Sequence, residues 1–177
     1  MRKITVPALL AAYQSGRRDF REMDLSLTDL FESDLRNINL SGSDLSQAYL
    51  PYTNLSQASL QNANCQGAEL SNAQFYAADL SASDLRGANL SRANLRSSNL
   101  QGANLSGANL YGADLSHSDL SQANLRDANL SRANLNSASL QQAQLGGCNL
   151  FQARRVSLEG ALCDRHTIYP NGHRDNG

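Results

Sequence analysis

Any chemistry in this chain has to come from three histidines, three cysteines and sixteen acids. Catalysis needs a few such groups with perturbed pKa gathered in a concave site, and a metal needs ligands at recurring short spacings. Neither pattern is present: His117 falls at a corner of a short repeat, His166 and His173 lie in the C-terminal tail, and no cysteine or acid recurs at ligand spacing. Serine is abundant, yet no Gly-x-Ser-x-Gly stretch or histidine partner accompanies it. Asn-Leu-Ser, as at Asn39-Leu40-Ser41, spells a glycosylation acceptor only because the repeat writes it again and again. These residues point away from an enzyme, a cofactor and a metal.

The elements that would position such groups are set by one beat. From Phe20 to Leu150 every fifth residue is apolar, which makes 27 positions held by 24 leucines with Phe20, Phe75 and Cys65. Two residues earlier stands Ala, Ser, Thr or Cys in 24 of the 27, and the residue just before is Asn or Asp in 21, so the unit reads A-(N/D)-L-x-x. On a helix a five-residue step turns each leucine by about 140° and spreads the leucines around the cylinder. In a flat strand an odd period sends successive leucines to opposite faces. A coil of short extended pieces, bent once per repeat at the x-x residues, keeps every leucine inside. Asn, Ser and Gly, which crowd the repeat, favour such bends. The slot two residues before each leucine also points inward, where a large side chain would overpack.

Runs such as Ala103-Asn104-Leu105-Ser106-Gly107-Ala108-Asn109-Leu110 resemble the pentapeptide-repeat proteins over about three quarters of the chain. The resemblance implies an all-β solenoid: a right-handed quadrilateral parallel β-helix, four repeats to a coil, with the Asn or Asp side chain bonding backbone near each corner. On that four-fold closure the rod has about 6.75 coils and is about 32 Å long. Residues 1–18 read as a short N-terminal helical cap, with Pro7 opening a helix to Ser15 and Gly16 closing it. Residues 19–153 are the β-helix, and 154–177 an irregular C-terminal cap with a flexible tail from His173. The segment from Leu9 through Tyr13 and Gly16 to Phe20, and the tail from Cys163 to Gly172, resemble cyanobacterial members of that family. Arg18, Met23, Thr28 and Ile38 stand in the slot that Ala or Ser fills later, as terminal repeats often do. Caps of this kind cover open ends, so a monomer or a cap-mediated dimer is expected.

The net charge of −1 hides a segregated distribution. Residues 1–18 carry +4, residues 19–84 carry −8 and residues 85–177 carry +3. Arg86, Arg92 and Arg96 fall at three different corners, which is not the focused basic face that nucleic acid needs, so no direct nucleic-acid contact is expected. An odd cysteine count, with Cys65 and Cys148 at inward phases, points to reduced thiols and the cytoplasm. Met1-Arg2-Lys3 followed by Ile4 to Tyr13 imitates a signal peptide, but Pro7 and the missing cleavage pattern speak against a secreted or luminal form. No stretch is long and apolar enough to span a membrane.

Two functional classes follow. One is a non-enzymatic scaffold that docks onto a protein partner. With residues twenty apart stacked, Phe31 lies beneath Pro51 and close to Tyr49 and Tyr52, so these four form the candidate partner surface. The other, implied by the resemblance, is DNA mimicry directed at a type II topoisomerase such as DNA gyrase. About 16 Å of duplex carries about nine charges, against a net of eight in the acidic segment. Yet Asp19, Asp24, Asp29 and Asp34 fall on four successive walls, so no wall repeats the rails of a duplex.

Overall fold

Every corner of the chain is the same turn, and every fourth corner brings it back above its starting point. In the computed structural model, which describes residues 1–174, Asp19 pairs with Asn39, Asp24 with Asp44, Asp29 with Tyr49 and Asp34 with Asn54. The same twenty-residue offset, always parallel, continues unbroken to Asn134 and Arg154. Four walls therefore run the length of the rod. On each wall the N–H of the inward residue donates up the stack, as Leu90 does to Asn109 at 2.8 Å, while the residue before it donates down, as Asn109 does to Ala88 at 2.9 Å. The apolar beat thus sets the walls, and the walls set the hydrogen bonding.

The corners are type II β-turns: Ala88 N–H donates back to the Leu85 carbonyl at 3.1 Å, and the second corner residue has positive φ. Seven of these second positions hold glycine, Gly107 at 66° among them, while the rest hold side chains such as Leu27 at 60° and Ala82 at 54°. The Asn or Asp before each leucine braces its corner. Oδ1 of Asp24 accepts from the Ser26 N–H at 3.0 Å, and Oδ1 of Asn89 from that of Ser91 at 3.1 Å. On one wall the amide groups also climb from coil to coil, Asn89 donating to Glu69, Asn109 to Asn89 and Asn129 to Asn109.

The beat leucines, with Phe20, Cys65 and Phe75, are at most 3% exposed and form one continuous apolar column. Where Ser or Thr replaces Ala beside it, the hydroxyl donates to a nearby carbonyl, Thr53 to Leu30 and Ser83 to Leu80, both at 2.7 Å. Among the described residues no buried side-chain polar atom is left without a partner.

Both ends are covered. Helix α1 (Val6–Gln14) starts at its N-cap Thr5, has Pro7 in its first turn, and buries Leu9 completely. Leu10 and Tyr13 pack on the column beside it, and the Tyr13 hydroxyl donates to the Arg36 carbonyl at 2.9 Å. Ahead of it, β1 (Arg2–Lys3) pairs in parallel with β2 (Met23–Asp24). The first residues thus add a strand to the open edge of the first coil, a pairing that their charged composition does not announce. In the inward slot of the early repeats Met23 and Ile38 are buried, whereas Arg18 turns out and stacks on Tyr13 at 3.9 Å.

At the other end the five-residue beat stops after Ala153, but the coil goes on. Leu162 pairs with Gln144 and Ile168 with Asn149, at offsets shortened to eighteen and nineteen. Asp164 holds this last part down: one carboxylate oxygen accepts from the N–H groups of Gly147, His166 and Thr167. His173 and Arg174, expected in a flexible tail, instead fold back through the Pro170-Asn171-Gly172 bend. There Tyr169 N–H donates to the His173 carbonyl at 2.8 Å and Arg174 bridges Ile168. Gly172, at a φ of 85°, allows that bend. The remainder of the expected tail, residues 175–177, lies outside the described residues.

Candidate functional site

The four-walled stack brings three of the four candidate surface residues together. Phe31 and Tyr49 lie nearly parallel, ring centres 6.0 Å apart at 21°, and Phe31 meets Tyr52 edge-on at 6.0 Å and 82°. All three stay open, at 44%, 47% and 55% exposure. Pro51, the fourth, is buried and offers no surface. It stands one coil above Phe31 and between Tyr49 and Tyr52 in the chain.

Stacking also places three acids near the rings, which sequence inspection did not tie to them. Tyr49 sits on its wall between Asp29 one coil below and Glu69 one coil above. Glu32 occupies the corner one coil below Tyr52. Asp29 accepts the Phe31 N–H at 3.0 Å, and Glu69 accepts from Ser71 N–H and the Asn89 amide. Among the described residues the ion pairs are Asp19–Arg21, Asp34–Arg36 and Asp84–Arg86, and none of the three acids near the rings takes part in one. The paired ones differ: the Arg21 side chain bonded to Asp19 holds that carboxyl down at about 2, and Arg36 and Arg86 lower Asp34 and Asp84 in the same way. Adding twenty to Asp29, to Glu32 and to Tyr49 gives Tyr49, Tyr52 and Glu69, so these neighbours can be found from the sequence.

The groups with catalytic potential fall in three settings: a corner, the column and a cleft at the C-terminal end. His117 is an exposed corner residue at a φ of 60°. Cys65 and Cys148 lie in the column, where burial pushes both thiols up to about 12. A cleft of about 600 Å³ near the C-terminal end is lined by Arg126, Asp127, Cys163, Asp164 and His166. Its Asp164 is committed to backbone N–H groups, which lower its pKa, and His166 Nε2 accepts from Arg165. Among the described residues no three His, Cys, Asp or Glu gather as metal ligands, and no helix is long and apolar enough to cross a membrane.

The pentapeptide repeats family matches this chain in 8 copies, over residues 18–47, 38–75, 73–112 and 113–150. The chain is a pentapeptide-repeat protein. Its stack is the right-handed quadrilateral β-helix of that family. Among solved pentapeptide-repeat structures it is similar to HetL, involved in heterocyst differentiation regulation in the cyanobacterium Nostoc sp. strain PCC 7120. That match has 30% identity over 97% of this chain and 99% of HetL, with a TM-score of 0.41. It is similar also to alr5209 from Nostoc PCC 7120, at 25% identity over 92% of this chain and 98% of that one, TM-score 0.34. A third is QnrB1, a plasmid-mediated fluoroquinolone resistance protein, at 20% identity over 93% and 90%, TM-score 0.43. No curated protein matches the pentapeptide-repeat chain significantly.

Proposed function

We propose that this pentapeptide-repeat protein is a non-enzymatic scaffold of the cytoplasm that docks onto a protein partner through the corner at Phe31, Tyr49 and Tyr52. The observation that carries the proposal is the unbroken column from Phe20 to Leu150. It fills the interior with leucine and leaves the reactive side chains either sealed in it, as Cys65 and Cys148 are, or outside it, on corners and in the cleft of the C-terminal cap. An open aromatic cluster on such a rod is a contact surface. Pull-down from the native cell with the intact rod and with the Phe31→Ala, Tyr49→Ala, Tyr52→Ala variant tests it. The intact protein retains a partner that the variant loses; equal recovery by both, or a turnover that one alanine substitution abolishes, overturns it.

The DNA-mimic alternative, aimed at a type II topoisomerase, has less support. The acids of the first half distribute over four ladders, and three of them are neutralised by their own arginine. Gyrase supercoiling that proceeds unchanged at micromolar protein is the expected result, and inhibition would restore this reading.

A further inference from the structure

We infer that the corner at Phe31, Tyr49 and Tyr52 receives the guanidinium groups of an arginine-bearing segment of a protein partner, an inference that rests on the scaffold reading above. Three other rings of the rod are covered by its own arginines. Arg17 lies 4.6 Å over Phe20, Arg18 lies 3.9 Å over Tyr13, and Arg132 lies 5.7 Å over Tyr111 while donating to its hydroxyl at 2.9 Å. Tyr111 and Phe31 occupy the same corner of the stack, four coils apart. Arg132 reaches Tyr111 from one coil and one residue further on, and the same step from Phe31 lands on Tyr52. Where the upper site holds a guanidinium, the lower one holds a second ring.

The lower site is built as a cation receptor in two further respects. Tyr49 and Tyr52 meet Phe31 at 21° and 82°, so the rings are set at an angle to one another, and each stays about half exposed. Asp29 and Glu69 flank Tyr49 on its wall and Glu32 lies one coil below Tyr52, and none of the three is in an ion pair among the described residues. A planar guanidinium stacks on a ring while its edge donates to a carboxylate, which the compact ammonium of lysine does not reproduce. The same three charges repel phosphate, so the surface disfavours nucleic acid and anionic lipid.

The full-length chain is titrated against a fluorescein-labelled hexa-arginine peptide, with hexa-lysine and hexa-glutamate peptides as controls, by anisotropy and by amide shift mapping. Hexa-arginine binds, hexa-lysine binds more weakly, and hexa-glutamate does not bind. Shifts centre on residues 29–32, 49–52 and 69–72. The variant Phe31→Ala, Tyr49→Ala, Tyr52→Ala weakens hexa-arginine about tenfold with its circular dichroism unchanged, because all three side chains are on the surface. Asp29→Asn with Glu32→Gln, which leaves the rings in place, flattens the salt dependence. Undiminished binding to the alanine variant, equal affinity for lysine and arginine peptides, or shifts centred elsewhere overturns the inference. So does a concentration-dependent dimer that the alanine variant abolishes, since a second copy is then the occupant. If hexa-arginine fails while the alanine variant still loses a protein partner in the pull-down, the cationic partner falls and the scaffold stands.

Discussion

A side chain in the left-handed backbone region costs about 1–2 kcal/mol unless it is glycine, and this rod places a residue there at every corner. Gly107 shows the effect alone, because a Cβ built on it meets nothing within 4 Å and its φ is 66°. Gly107→Ala should therefore lower stability by about 1 kcal/mol, seen as a melting temperature about 2–4 °C lower. Ala82→Gly, at a φ of 54°, should change stability less and in the other direction, since glycine relieves the corner but gains freedom in the unfolded chain. Burial makes a second prediction at this scale. With their thiols raised to about 12, Cys65 and Cys148 should resist a thiol reagent at pH 8 until denaturant is added, while the half-buried Cys163 reacts in the folded protein. Rapid labelling of all three would mean that the column opens.

Each element of a solenoid touches only its neighbours, so damage should stay local. Leu9 is the fully buried contact of α1, and Leu9→Ala should cost about 2–5 kcal/mol. Hydrogen exchange should then quicken at Leu25 and Leu30 in the first coil while Leu90 and Leu105 keep their protection; uniform loss would show a single cooperative unit instead. The walls of this rod were legible in the sequence because the beat at Phe20 to Leu150 leaves neither helix nor flat strand a buried face. Closure at four repeats was not in the residues themselves and came with the family resemblance, and the pairing of Asp19 with Asn39 confirms it. Less visible were the parts that bond through backbone alone. Arg2 and Lys3 join β2 without an apolar pattern, and Leu162 and Ile168 continue the coil at offsets shorter than twenty, after the five-residue spacing has broken. At the candidate site, the twenty-residue arithmetic located Phe31, Tyr49 and Tyr52 but not the burial of Pro51, because stacking fixes which residues are neighbours and not how far each side chain is covered.

Across the whole molecule the carboxylates tie stability to acid. Asp19 falls to about 2 chiefly through the Arg21 side chain, Asp24 is lowered by the Ser26 hydroxyl and Asp164 by the Gly147 N–H. A carboxylate lowered on folding contributes its full share above the unfolded value near about 3.9 and loses it as pH drops through the folded value. Melting temperature should accordingly be flat from neutrality to about pH 5 and fall below about pH 4; a decline beginning near pH 6 would implicate histidine instead. The constant offset of twenty residues from Asp19 to Arg154 has one more effect, on permissible lengths. Excising residues 86–105 splices Leu85 to Ser106, which occupies the position that Arg86 left, and the helical lid and the C-terminal closure keep their mutual bearing on a shorter shaft. Removing residues 86–90 alone swings one end by a quarter revolution against the other. The rod is thus free to grow or shrink in whole storeys, while any smaller change re-aims everything mounted beyond it.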